Sequence, residues 1–373
     1  MRPIQSGEIE IGQPLPYDAY DERGKLMLRA GHVLTTASSV ERLVRVAYFN
    51  DGVAANARTG VVDDSPASGR PLASILSARH RLHALLSDAR YRDFSGEIKR
   101  ISELLQHACV ANADLSLASI VLQREGAYAT RHMVNTAIAC ELVGTALEVG
   151  ATERSSIMAA ALTMNIGMLE LQQELLSVDG PLSNTQHAEV RQHCERGVTI
   201  LKERGVTDTL WLQAVLDHHE RSDGSGYPGG KRGEAIGLPA RLLASADVYC
   251  ARVVGRGYRP PLQANVALRW LYLNEGARLD EKIATSFIKT LGIYPPGTGV
   301  RLRNGSIAVV THRGTDSLTP QVSSLTTHDG FRVTTPIRRR SDVGAHAISE
   351  VVDLDELDMS VSMEALWGTD AVI

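Results

Sequence analysis

From residue 72 to residue 292 apolar residues recur at spacings of three and four, punctuated by cap and turn residues. No other feature constrains the fold as strongly, because such a run buries its apolar stripes by packing helix on helix. Aromatic residues make up 5% of the chain against 43% apolar residues in all. The interior is therefore expected to be aliphatic, built on Leu, Val, Ile and Ala. The class this predicts is mainly α, with one helical domain over residues 72–292. Within it Asp114 reads as the N-cap of LSLASIVLQ, and Ser183 with Gln186 makes a capping-box pattern before HAEVRQHCERGVTILKE.

Small β units are expected at both ends of the helices. Residues 8–35 alternate apolar and polar positions on either side of DERGK, with Gly24 supplying the turn, so residues 1–52 read as a small N-terminal β-hairpin unit. Residues 53–71, rich in small residues, Gly and Pro, read as a linker. Beyond the helices, Asn304-Gly305 lies between two β-rich runs in VRLRNGSIAVVTHRG, a strong hairpin signal. This predicts a small C-terminal β appendage over residues 293–335. Residues 336–373 are acidic and weakly patterned and read as a flexible tail, with Arg338, Arg339 and Arg340 in a solvated loop.

The formal charge of -4 supplies no general attraction to nucleic acid, which is not expected as a partner. No run approaches the length of a membrane span, and MRPIQSGEIEIG has no apolar signal core, so a cytoplasmic location is expected. Cys109, Cys140, Cys194 and Cys250 have no CxxC spacing and read as reduced core thiols.

The segment DHHERSDGSGYP, residues 217–228, is too particular to be filler. Its glycines can take positive φ and Pro228 fixes its exit, so Tyr227 is presented on a stiff turn. Helix periodicity places other polar groups on buried faces. His132 shares a stripe with Thr136, Ala139 and Val143, and His193 lies between Val190 and Gly197. His219 continues the stripe of Leu212, Val215 and Leu216 with His218 beside it, and Asp247 lies among Leu243, Cys250 and Val254. A lone histidine on such a face is usually a hydrogen-bonded core residue. Four histidines and an aspartate turned inward from four helices point instead to a metal site, since one helix cannot surround an ion.

These residues resemble the HD-GYP family, the bacterial branch of the HD metal-dependent phosphohydrolases that hydrolyse cyclic di-GMP. The resemblance runs from about residue 114 to residue 270. It is carried by HHERSDGSGYPGG, IGLPARLLASADVYCA, RGYR at 256–259, and the upstream His132 and His193. It implies an HD-superfamily helical bundle with His193, His218 and His219 as ligands of one metal position, and His132 and Asp247 as what remains of the other. It further implies Arg256 and Arg259 as contacts to substrate phosphates, and Asp223, Gly224, Gly226, Tyr227 and Pro228 as the family's signature loop. That loop is linked in the family to protein contacts, including those with diguanylate cyclase domains.

The chain departs from the family where the His-Asp pair belongs. In AAALTMNIGML, residues 159–169, Met164 takes the histidine position, Asn165 the aspartate position and Met168 that of a lysine. Cys250 stands where the family has a later aspartate. An anionic carboxylate is what lets two dications lie about 3.5–4 Å apart around an activated water. An amide carries no such charge, and a thioether is a poor partner for iron or manganese.

The resemblance therefore implies either one iron or manganese ion or a metal-free site, and no intact catalytic set. The expected function is a catalytically impaired HD-GYP signalling protein. It would act as a receptor for cyclic di-GMP or a related cyclic dinucleotide, or as a protein-interaction scaffold. The alternative is an active metal-dependent cyclic di-GMP phosphodiesterase working through a residual single-metal site.

Overall fold

A computed structural model of the chain describes residues 2–4, 8–9, 19–21, 26–28, 40, 43–45, 47–49, 70–88, 90–178, 180–255 and 261–372. The chain divides into two compact units, Met1–Ser65 and Pro66–Ile373. In the first, the short strands β1 (Arg2–Pro3), β2 (Ala19–Tyr20), β3 (Leu26–Leu28) and β4 (Tyr48–Phe49) form an antiparallel sheet in the order β1-β4-β2-β3. Pairing of β2 with β3 makes the two arms of the hairpin expected around DERGK, while residues 22–25, Gly24 among them, lie outside the described residues. Ile4, Ile9, Ala19, Leu43, Ala47 and Phe49 form the core of this unit. Residues 53–69 of the expected linker also lie outside the described residues.

The second unit is mostly helical. Its helices are α1 (Pro71–Ser87), α2 (Phe94–Ala111), α3 (Ala113–Leu122), α4 (Tyr128–Ala146), α5 (Ala151–Thr163) and α6 (Leu169–Leu175). They continue with α7 (Asn184–Glu203), α8 (Thr209–Asp217), α9 (Leu238–Val254), α10 (Ala264–Trp270) and α11 (Glu281–Leu291). Aliphatic side chains such as Ile75, Leu105, Ile138, Leu162, Leu201 and Leu243 meet in one core. Local chemistry sets the ends. Ser183 and Gln186 close the capping box at the start of α7, and the Asp208 carboxylate accepts the Leu210 and Trp211 N–H groups at the start of α8.

Asp114 is not the cap of α3. Asn112 accepts the Leu115 N–H there, and Asp114, inside the first turn, is paired with Arg313 at 2.5 Å. The correction has a simple cause: α2 and α3 are separated by Asn112 alone, so the break falls two residues before the carboxylate.

Strands β5 (Gly299–Leu302), β6 (Ile307–His312), β7 (Gln321–Thr326), β8 (Arg332–Arg340) and β9 (Ile348–Val351) form an antiparallel sheet in the order β8-β7-β6-β5-β9. Asn304-Gly305 turns β5 into β6, with Gly305 at φ +90°. Side chains alternate across the sheet: Val309 and Leu325 join the helical core, whereas Ala308, Val310 and Val322 make a small core of their own.

Two expectations are corrected here. Residues 336–373 are not a flexible tail, since they complete β8, form β9 and end in the helix α12 (Met363–Trp367), whose Met363, Leu366 and Trp367 enter the helical core. Arg338, Arg339 and Arg340 are not in a loop: they pair with Ser323, Val322 and Gln321 on β7. An edge strand bearing charged side chains carries a weak apolar pattern, and its order comes from its neighbour.

Candidate metal centre

The candidate site is assembled where α4, α5, α7, α8 and α9 meet. At the end of α5 the Trp211 indole N–H donates to the Thr163 hydroxyl at 2.7 Å, joining α8 to α5 one residue before Met164. A 3-10 turn over Ile166–Met168 follows and lies tight against α7. A Cβ on Gly167 would stand 2.2 Å from the His193 carbonyl oxygen and 2.7 Å from the Gly197 nitrogen. Met164 and Asn165 are both buried.

His193 and His218 are completely or almost completely buried and face one another, with their Nε2 atoms 3.3 Å apart. Each turns Nδ1 to a carbonyl of its own chain segment, His193 to Val190 at 2.5 Å and His218 to Val215 at 2.7 Å. A carbonyl only accepts, so both Nδ1 atoms carry the proton. In the neutral rings both Nε2 atoms then present lone pairs to each other, a pairing that a shared proton or a metal ion would satisfy. Burial, followed by the neighbouring His218, pushes His193 down to about 3, and burial lowers His218 as well.

The thiol of Cys194 joins this pair, with Sγ 3.6 Å from His193 Nε2 and 3.9 Å from His218 Nδ1. Ligand atoms of His193, Cys194 and His218 lie within 4.8 Å of one another, and among the described residues these three form the only group with that property. His219 sits beside them, its ring 5.0 Å from that of His193, and stacks on Tyr227 with ring centroids 4.8 Å apart. Burial and the two neighbouring histidines hold His219 well below its ordinary value.

His132 and Asp247 form a separate pair at 2.7 Å, from His132 Nε2 to Asp247 Oδ1, with the His132 ring stacked on Tyr128. Burial opposes the charge on Asp247, but the His132 hydrogen bond and the surrounding imidazoles overrule it and keep the carboxyl far below the usual carboxylate range. The charge of Asp247 also acts on His193, His218 and His219. The helical periodicity thus places His132, His193, His218, His219 and Asp247 in one neighbourhood.

The loop after α8 is held by the carboxylates that flank the two histidines. Glu220, buried, accepts the Gly229 N–H at 2.6 Å and the Lys231 N–H at 2.9 Å. Asp217, also buried, receives the Lys231 ammonium at 2.6 Å and the Gln213 amide at 2.7 Å. The Asp223 carboxylate accepts the Ser225 N–H and hydroxyl and pairs with Arg278 at 3.4 Å, while its backbone forms an isolated antiparallel β-bridge with Arg232. Gly224 takes φ +81°, and a Cβ on Gly226 would lie 2.4 Å from the Arg221 nitrogen, so neither position admits a side chain without rearrangement. Tyr227 precedes Pro228 through a cis bond, and the Arg191 guanidinium lies 4.8 Å from the centre of its ring.

Sequence reasoning missed three of these residues. The spacing of Cys194 marks it only as a core thiol, and the signal for Asp217 and Glu220 is their position on either side of paired histidines. Arg256 and Arg259 lie outside the described residues.

This donor set fits one ion better than two. Met164 and Asn165 supply no anion, and Cys250 lies in the aliphatic core with its thiol pushed up by burial. His193, Cys194 and His218 supply three converging donors.

Residues 115–283 match the family described as "HD domain". The chain is 32% identical over 243 residues to a cyclic di-GMP phosphodiesterase of Pseudomonas aeruginosa, covering 65% of this chain and 57% of that protein. It is 31% identical over 152 residues to a cyclic di-GMP phosphodiesterase response regulator of Xanthomonas campestris, covering 40% of this chain and 39% of the relative. Against a 3'3'-cGAMP-specific phosphodiesterase of Vibrio cholerae the identity is 27% over 175 residues, covering 47% and 38%. Among solved structures, an HDG"Y"P protein from Bdellovibrio bacteriovorus matches with a TM-score of 0.51 at 16% identity, over 77% of this chain and 97% of that one, which shows a shared fold. Residues 115–283 of the helical unit thus match an HD domain, and the chain is similar there to cyclic di-GMP phosphodiesterases. The chain spans little more than half of the Pseudomonas relative and under two fifths of the Xanthomonas and Vibrio ones. Among the described residues no single helix is long and apolar enough to cross a membrane.

Proposed function

We propose that the helical unit is a cyclic-dinucleotide receptor, a member of an enzyme family that binds its ligand without efficient hydrolysis. The reading rests on one observation: Met164 and Asn165 are buried just before Gly167, which lies against the His193 backbone, in the segment where the family resemblance places an imidazole and a bridging carboxylate. Two adjacent dications repel each other unless an anion is shared between them, and a neutral amide does not supply one. The relatives' substrates, cyclic di-GMP and 3'3'-cGAMP, define the class of ligand.

In this reading Arg256 and Arg259 hold ligand phosphates through their guanidinium forks. Tyr227, on the loop fastened by Asp217 and Glu220, borders the histidine cluster and presents a face to partners such as diguanylate cyclase domains. Calorimetry with cyclic di-GMP and with 3'3'-cGAMP, run beside an assay for linearised nucleotide, tests the proposal. Binding without product is expected, and no heat at high micromolar ligand rejects the receptor.

A second reading is favoured by the converging Nε2 atoms of His193 and His218: a phosphodiesterase with a single ion. An ion there would supply Lewis acidity and an activated water. The protein's own part would be to orient both imidazoles through Val190 and Val215 and to exclude bulk water by burial. Repeated turnover by metal-loaded protein would replace the first reading with this one.

A further inference from the structure

We infer that His193, Cys194 and His218 form a mononuclear zinc site with the Cys194 sulfur as a ligand, a donor set unlike the imidazole and carboxylate mixture that suits iron or manganese. The inference rests on the single-ion reading of the histidine cluster and goes beyond it in the identity of both the third donor and the metal.

Three observations carry it. Of the four buried cysteines, Cys109, Cys140 and Cys250 pack within the main aliphatic core, whereas Cys194 faces the imidazoles. The distances suit one small tetrahedral ion: with Zn–N near 2.0–2.1 Å and Zn–S near 2.3 Å, two nitrogens stand about 3.3 Å apart and nitrogen and sulfur about 3.6 Å. The structure has 3.3 Å between the two Nε2 atoms and 3.6 Å from His193 Nε2 to Sγ, while Sγ stands 3.9 Å from His218 at its Nδ1, so closing the set on His218 Nε2 takes a small movement of the sulfur. Finally, both Nδ1 atoms are committed to backbone carbonyls, which fixes the tautomer that leaves Nε2 free to ligate.

Donor chemistry selects the metal. A thiolate with two imidazoles suits zinc, while hard cations prefer carboxylate and water. On binding, the thiol releases its proton to solvent, so a thiolate, two neutral rings and the dication sum to a net charge of +1. That thiolate places an anion beside the ion, in a chain where the family's shared carboxylate is replaced by the amide of Asn165. The fourth position stays open for water or ligand.

The test uses the full chain, stripped of metal and titrated with cobalt(II) as a spectroscopic substitute for zinc. A sulfur-to-cobalt charge-transfer band in the near ultraviolet is expected at one ion per chain. It should vanish in Cys194→Ala and persist in Cys109→Ala. Zinc affinity of Cys194→Ala should fall more than about tenfold, since loss of even an outer-shell partner costs that much. X-ray absorption of the zinc-loaded wild type, which does not depend on any variant folding, should show one sulfur at about 2.3 Å with nitrogens nearer 2.0 Å. An ion bound through nitrogen and oxygen alone would overturn this inference and leave the single-ion reading standing. A chain that takes up no ion would overturn both.

Discussion

Gly167 and His193 are in backbone contact across two elements: a Cβ at residue 167 would stand 2.2 Å from the carbonyl oxygen of residue 193. The turn carrying Met164 and Asn165 is thereby pressed onto the helix carrying a candidate ligand. Gly167→Ala forces these elements apart, because the atoms it meets are backbone and cannot rotate away. An overpacking cost of about 1–3 kcal/mol is expected, with an unfolding midpoint lower by about 2–8 °C. Thermal unfolding measures it, and an unchanged midpoint would show that the contact is looser than described.

Glu220 fastens the signature loop through two backbone N–H groups. Glu220→Gln keeps the shape but turns an amide donor towards one of them, a buried mismatch worth about 1–3 kcal/mol. Amide hydrogen exchange at Gly229 and Lys231 should quicken while the helical core keeps its protection. Equal rates in both proteins would mean that the loop is held by something else.

Glu97 on α2 lies between Arg81 at 2.6 Å and Arg100 at 2.9 Å. Burial works against its charge, yet hydrogen bonds from both guanidinium groups hold its carboxyl below the ordinary 4.5. A carboxyl depressed in the folded state contributes stability that is present above its unfolded value and lost as pH falls through the folded one. Urea unfolding should therefore show Glu97→Gln less stable than the wild type at pH 7, by about 1–3 kcal/mol, with the gap closing below pH 4.5. A gap that stays constant into acid contradicts the assignment.

Restoring the missing pair tests the proposed function directly. In Met164→His with Asn165→Asp, an imidazole and a shared carboxylate return to the site, and metal content should rise above one ion per chain. Hydrolysis of cyclic di-GMP should rise by at least about tenfold, a barrier change of about 1.4 kcal/mol. If the wild type already matches the double variant in turnover, its description as impaired is wrong.

Much of this architecture could be read from the residues, and the exceptions share a cause. Helix periodicity brought His132, His193 and Asp247 to buried faces because the period of the apolar stripe fixes which side of a helix points inward. The Asn304-Gly305 turn and the Ser183 capping box were equally plain, since each is decided within a few residues. Cys194 escaped because it follows a residue on the buried stripe and is itself apolar enough to pass as core. The two carboxylates Asp217 and Glu220 escaped because their partners, Gly229 and Lys231, are reached only once the loop has folded back. Strand β8 escaped for a similar reason: its nine residues carry four arginines, and only hydrogen bonding to β7 makes them a strand.

The tetrapeptide Asp217-His218-His219-Glu220 looks two ways at once. Its central rings belong to the interior cluster, and its outer carboxylates grip the surface turn that displays Tyr227. No hinge separates the two tasks. Four consecutive residues thus join the buried imidazoles to the anchors of the turn, with no spacer between them.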